Sequence, residues 1–296
     1  MPGETIEKPK GNRSWFLLAI IMPIGVSIFL HSSMFGGVDA PPSDFGSGYM
    51  FDMIARRYDM INRVLAVGMD MGWRRRMVQV IHDSVANIEH PRLLDMATGT
   101  ADVALLLRKE IPHSTVLGLD PSHNMLAVGR EKVTKAGWKT SDVNLQWADA
   151  QDFASTLPES SFDGATMAFG IRNVPDRQKA LCEIHTVLKD QARFCILEFS
   201  EPDESAGVLG WASRMFIRHI VPFLGGILSG APREYWHLQE SIKEFPPPNE
   251  FGKIISSVEC TTKNGEDSTR TGGFRLDEVI QLNFGSVQIY SMIVQK

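Results

Sequence analysis

The sequence predicts an α/β fold in which a mostly parallel sheet is covered by helices on both faces, and three observations predict it. Apolar strand runs alternate with helical patterns from Pro91 onward. The strands read as continuous apolar runs rather than alternating ones, as strands buried on both faces do. The chain is 43% hydrophobic over 296 residues, enough for the core of one large domain behind an N-terminal extension.

The extension comes first. Trp15 to Leu30, "WFLLAIIMPIGVSIFL", carries no charge and follows Lys8, Lys10 and Arg13. Its 16 residues fall short of the roughly 20 that a membrane span needs. "VDA" before Pro41 resembles a small-residue cleavage site, whereas Glu4 and Glu7 fit poorly with an acid-poor transit peptide. Residues 1–48 are therefore expected to be a targeting or membrane-anchor segment plus a linker, the Gly-, Pro- and Ser-rich stretch from Gly36 to Gly48. Residues 49–296 form the folded domain.

Within it, "PRLLDM" predicts a buried strand and "ADVALLLRKE" a helix, "STVLGLD" a strand and "SHNMLAVGREKVTKAG" a helix. "VNLQWAD" and "FDGATMAFG" predict the third and fourth strands. "PDRQKALCEIHTVLK" is a helix with Pro175 near its first position, and "ARFCILEFS" is the fifth strand. "FRLDEVIQLNFGSVQIYSMIV" gives two strands around "NFG", a hairpin that puts one antiparallel strand into the sheet. Cys182, Cys195 and Cys260 show no paired spacing and are expected to be buried free thiols in a reducing compartment, and no metal site is expected.

In such sheets, ligands bind at the carboxyl ends of the strands. Asp95 closes the first strand, Asp120 the second, about 20 residues past the turn where a carboxylate meets ribose hydroxyls, and Asp149 the third. Three carboxylates on one edge repel a polyphosphate and suit a nucleoside, and helix capping is the competing role for each. The turn "ATGTADVA" has one glycine, Gly99, and does not fit the G-x-G-x-x-G of a dinucleotide fold. S-adenosylmethionine (SAM) has no phosphate and is the better candidate for a turn of small residues. The net charge of −5 argues against nucleic acid and favours a cationic or neutral ligand.

Five stretches carry a family resemblance: "YDMINRVLAVGMDMGWRRRM" (Tyr58 to Met77), "LLDMATGTAD", "FGIRNVPDRQKAL" (Phe169 to Leu181), "VLKDQARFCILEFSEP" (Val187 to Pro202) and "LNFGSVQIY". By these the chain resembles the ubiquinone and menaquinone biosynthesis C-methyltransferases over nearly all of Phe51 to Lys296. The resemblance implies a class I SAM-dependent methyltransferase (Rossmann-like) fold, with a mostly parallel seven-stranded sheet and one antiparallel strand. It implies methyl transfer from SAM to a ring carbon of a polyprenylated benzoquinol or naphthoquinol. SAM contacts would fall on Thr100, on Asp120 at the ribose and on Asp149 with Ala150 beside the adenine, and the loop adds Asp95 and Gly99. The chain departs from the family at Ala101, usually glycine, at Ala168, usually serine, and in Glu259 to Gly273, which looks longer than the usual connection.

Deprotonating the hydroxyl beside the reacting carbon raises its nucleophilicity, so a cation or base near that oxygen assists. Arg172 is the candidate for steadying the phenolate and Asn173 for orienting the ring, with Tyr58 or Asp59 relaying the proton; a structural ion pair is the alternative for Arg172. Gly207 to Gly230 is strongly apolar, with Arg214 and Arg218 one turn apart and Pro222 expected to kink it. This helical insertion, about residues 205–257, is expected to lie on a membrane surface or to roof an apolar channel. The expected partners are thus a polyprenyl quinol, a membrane surface, and a quinone-biosynthesis complex or a second copy of the chain. The protein is expected at the mitochondrial inner membrane, peripheral or anchored, with a plastid membrane as the alternative. Two other functions stay open: a SAM methyltransferase for another small molecule, and a non-catalytic SAM-fold subunit of a quinone-synthesis assembly.

Overall fold

The structure is a computed structural model and describes residues 48–202, 207–229, 241–264 and 268–296. The expected leader and linker lie outside the described residues, apart from Gly48. Two helices, α1 (Tyr49–Leu65) and α2 (Asp70–Val85), precede the sheet. Then follow β1 (Arg92–Met96), α3 (Asp102–Glu110), β2 (Thr115–Asp120), α4 (His123–Lys135), β3 (Val143–Trp147), β4 (Phe162–Ala168), α5 (Arg177–Val187) and β5 (Leu188–Phe199). Each of these elements lies where the apolar runs and helical periods place it. Ser122 caps α4 by accepting from Met125 N at 3.1 Å, and Asp176 caps α5 by accepting from Lys179 N at 2.9 Å. Pro175 therefore stands just ahead of the cap and not at the first helical position.

After β5 come α6 (Gly207–Met215), a π turn (Phe216–Ile220), α7 (Val221–Ser229), α8 (Pro248–Ser256), β6 (Glu259–Asn264), β7 (Ser268–Leu282) and β8 (Val287–Gln295). A π turn, Phe216–Ile220, stands two residues ahead of Pro222, where the sequence led to the expectation of a kink. Proline has no N–H to complete the helical ladder, and the five residues ahead of it open into i→i+5 bonding.

The sheet has eight strands in the order β3-β2-β1-β4-β5-β8-β7-β6. The first five are mutually parallel, β8 runs antiparallel to β5 and β7, and β6 runs antiparallel to β7. The expected sheet had seven strands and one reversed strand. The eighth is β6, formed by the long connection that begins at Glu259, and it adds a second reversed strand at the edge. One apolar layer packs Met96, Phe194, Ile196, Tyr290 and Met292 beneath α5 and α8; the other packs Leu93, Val116, Leu145 and Leu197 beneath α2, α3 and α4.

The free-thiol expectation is corrected for two cysteines. Cys182 on α5 and Cys260 on β6 form a disulfide with Cα atoms 5.1 Å apart. Their separation of 78 residues is closed only by β6, the strand the sequence reading missed. Cys195 alone is a buried free thiol, and burial pushes it up to about 12.

Candidate active site

The carboxyl ends of β1, β2 and β4 meet at one edge, and the turn after β1 is built there. Ala97, Gly99 and Ala101 take φ of 51°, 53° and 67°, so the left-handed conformation recurs at every second residue of "ATGTA". Glycine adopts this backbone freely and alanine at a cost of about 1–2 kcal/mol. Two of the three left-handed positions are thus held by alanine, and the turn curls into a cradle braced from within, with Thr98 N donating to Leu119 O, Gly99 N to Asp120 and Ala101 N to Thr98 O. At Gly99 an added Cβ would meet nothing within 4 Å, so the loop opens onto free space there. The sequence signal was the A-x-G-x-A spacing rather than a count of glycines.

Two carboxylates hold the turn. Asp95 is buried, and its oxygens accept from Thr98 Oγ1 at 2.6 Å and Thr166 Oγ1 at 2.7 Å. Asp120 accepts from Gly99 N at 2.8 Å and from Ser122 N at 2.9 Å, one bond to each oxygen, which leaves a lone pair on each. Burial pushes both carboxyls up to about 6. Asp149 lies two residues past the end of β3, half-buried, accepting from Gln151 N at 2.9 Å, with buried Ala150 beside it. Ala148 N donates to Asp120 O at 3.2 Å, which sets this turn next to the Asp120 end.

Helix α1 covers the cradle. Asp59 accepts from Thr100 Oγ1 at 2.6 Å and pairs with Lys132 Nζ at 2.9 Å, and Lys132 also pairs with Asp102. Asp52 accepts from Asn124 N at 2.9 Å at the start of α4. Asp59 thus ties α1 to the loop and to α4, and Thr100 is its partner. Tyr58, the adjacent residue, faces elsewhere. Burial raises its hydroxyl, and Arg74, Asn62 and Arg172 pull against that rise.

Near the Arg74 and Arg172 guanidinium groups that act on Tyr58, the structure packs a cluster of rings that no single stretch of sequence discloses. Phe169 stacks on Phe199 at 4.7 Å, and Trp73 meets Phe199 edge-on at 5.8 Å. The Arg74 guanidinium lies 5.2 Å from the Phe169 ring centre, and that of Arg172 lies 5.9 Å from the Phe199 centre. Phe169 itself holds φ 58°, a strained conformation for a bulky residue and of the kind that collects at functional sites. Gly170 must remain glycine, because a Cβ there would sit 2.4 Å from Ala97 Cβ in the cradle. Asn173 closes the turn Ile171–Asn173 next to it.

Arg172 is buried and pairs with Glu198, which is fully buried at the end of β5, while its Nε donates to Ser241 Oγ at 3.0 Å. The alternative of an ion pair is therefore present in the molecule, and Glu198 is a residue the sequence reading missed. The apolar arm differs from expectation too. Arg218 is held by Glu201 through two bonds of 2.7 and 2.6 Å, and Arg214 also has a partner, so neither is a spare cation for lipid. What α6 exposes instead is apolar: Val208, Leu209 and Trp211, next to Phe284.

A cradle of left-handed small residues, a buried carboxylate at the end of β2 and a sheet ending in a reversed strand are the arrangement of a class I SAM-dependent methyltransferase. The family model of the ubiE/COQ5 methyltransferase family matches residues 46–274, and the chain belongs to that family. It is 39% identical over 209 residues to a demethylmenaquinone methyltransferase of Thermus thermophilus, covering 71% of this chain and 90% of that one. It is 40% identical over 219 residues to the ubiquinone/menaquinone biosynthesis C-methyltransferase UbiE of Geobacter sulfurreducens, covering 71% and 78%. Among solved structures, the CurJ carbon methyltransferase shares the fold at TM-score 0.56 and 13% identity, over 97% of this chain and 72% of that one. The chain is a SAM-dependent C-methyltransferase. These relatives are bacterial, which corrects the expected placement at a mitochondrial or plastid membrane.

Proposed function

We propose that the chain methylates a ring carbon of a polyprenylated quinol at a membrane surface, as a single methyltransferase domain over residues 49–296 with an apolar helical insertion at about 205–257. The observation that carries the reading is the aromatic cluster of Trp73, Phe169 and Phe199 with the Arg74 and Arg172 guanidinium groups over its rings, joined to the loop after β1 by the close approach of Gly170 to Ala97. A flat, electron-rich ring stacks there with its hydroxyls toward the guanidinium groups.

SAM, when bound, supplies an electrophilic methyl group on a positively charged sulfur. Asp120 accepts the ribose hydroxyls on its two remaining lone pairs, Asp149 and Ala150 flank the adenine, and Gly99 and Thr100 border the amino-acid end. Asp95 shapes the loop through its two threonines. The Arg172 guanidinium stabilises the quinol oxygen as it loses its proton, Asn173 orients the ring, and Tyr58 passes the proton outward between two cations. Asp59 acts by holding α1 down. Positioning the ring carbon in line with the methyl group contributes about 7–11 kcal/mol to such a step. Cells of the source organism lacking this gene should accumulate a quinone short of one ring methyl, and the chain should restore it. Normal quinones in those cells contradict the proposal.

The tail leaves along the α6 arm, whose exposed Val208, Leu209 and Trp211 meet the bilayer. Because the two arginines of this arm are already partnered, this contact is apolar. Fully burying each such side chain is worth about 1.5–3 kcal/mol. Leu209→Ser with Trp211→Ser should lower activity on long-tailed quinols in vesicles at low and high salt alike, with a short-tailed analogue still turned over. Equal loss on both substrates assigns the arm to the core instead. No described helix is long and apolar enough to cross a membrane.

A further inference from the structure

Helix α1 divides its residues between two faces. The inner stripe of Ile54, Ile61 and Leu65 is buried against Val221, Leu224 and Leu228 of α7. Both of its acids turn inward as well: Asp52 onto Asn124 at the start of α4, and Asp59 onto Thr100 and Lys132. What remains outside is Arg56, Arg57, Met60 and Val64, spaced three, four and seven apart so that they share one flank. Met60 is 56% exposed and Val64 51%, and Val67 and Met69 extend the apolar strip into the following turn at 73% and 42%. Among the described residues no ion pair involves Arg56 or Arg57, and no acid lies on that flank of α1.

We propose that this flank docks on an anionic phospholipid surface, with Met60, Val64, Val67 and Met69 entering the headgroup boundary and Arg56 and Arg57 meeting the lipid phosphates. The proposal rests on the membrane reading above. An apolar strip framed by arginines and stripped of its acids is the pattern of a helix lying in the interface plane. The inner stripe of the same helix packs on α7, the helix that follows the arm just described. Because α1 also covers the cradle through Asp59, the bilayer would press on the helix that encloses SAM.

A thiol placed at Val64 tests it on the full chain, since Cys195 is buried and Cys182 and Cys260 are bonded to each other. Val64→Cys carrying an environment-sensitive nitrobenzoxadiazole label should shift to the blue on vesicles containing phosphatidylglycerol. It should not shift on phosphatidylcholine alone, and salt should reverse the change. Arg56→Gln with Arg57→Gln should weaken the vesicle affinity about twenty-five-fold, from about 1 kcal/mol per arginine. If the label at Leu209→Cys shifts while that at Val64→Cys stays in water, this surface is overturned and the membrane reading stands. If the Val64→Cys label is shielded before vesicles are added, the flank is covered by protein and the proposal fails. If neither label shifts and the chain does not sediment with vesicles, both proposals fail together.

Discussion

Asp120→Ala should abolish measurable SAM binding while the domain stays folded. The carboxylate would lose two charge-assisted hydrogen bonds to the ribose, at about 1.5–3 kcal/mol each, so affinity falls by roughly two to four powers of ten. The variant leaves Gly99 N and Ser122 N without their acceptor, and the fold should survive because the buried charge of Asp120 offsets part of what those two bonds contribute. Burial raises this carboxyl to about 6 from 3.8, so its contribution to stability is full below pH 3.8 and is lost as pH rises through 6. At neutral pH its charge therefore works against folding. The same shift gives a pH dependence: SAM affinity should fall as pH drops below about 6, by up to tenfold per unit, because the protonated carboxyl surrenders acceptor capacity. Calorimetry on the wild type and the variant measures both effects. An unchanged affinity in Asp120→Ala, with a native far-ultraviolet spectrum, would remove Asp120 from the cofactor site.

Arg172→Ala should lower kcat by about two to three powers of ten, as expected when one preorganised group is removed from the developing charge, and leave the SAM affinity within a few-fold of normal. Stability must be separated from catalysis here, because Glu198 is fully buried and pairs with Arg172. Removing the arginine alone leaves an uncompensated buried charge and costs about 3–5 kcal/mol. The double variant Arg172→Ala with Glu198→Ala removes both charges and should recover most of that stability without recovering turnover. Thermal melts and single-turnover rates on the two variants make the distinction. If the double variant regains turnover with its stability, Arg172 is a structural partner of Glu198 and another group steadies the phenolate.

Much of this arrangement was legible in the sequence, for local reasons. The strands β1 to β5 announce themselves because burial on both faces demands unbroken apolar runs, and Asp95 and Asp120 are fixed by following directly on such runs. The edge strand β6 was not legible: "ECTTKN" has neither an apolar run nor a clean alternation, and its pairing with β7 supplies the order. The disulfide depended on that strand and was lost with it. Nor could spacing disclose Trp73, Phe169 and Phe199, which meet only because α2 packs across the ends of β4 and β5. Local signals misled most where partners come from afar. Arg218 of the apolar arm showed no partner in the sequence until Glu201 was placed beside it, and Asp59 looked like a relay until Thr100 and Lys132 were placed against it.

The most direct measurement is methyl transfer itself. The purified full chain would be incubated in vesicles with SAM carrying an isotopically labelled methyl group and a reduced polyprenyl quinol that lacks one ring methyl. The account predicts label on the ring carbon beside a hydroxyl, no label with Asp120→Ala, and loss of transfer when the quinol is oxidised to the quinone, whose ring is no longer electron-rich. Label on a hydroxyl oxygen, or no transfer to any quinol by a chain that binds SAM normally, would contradict it.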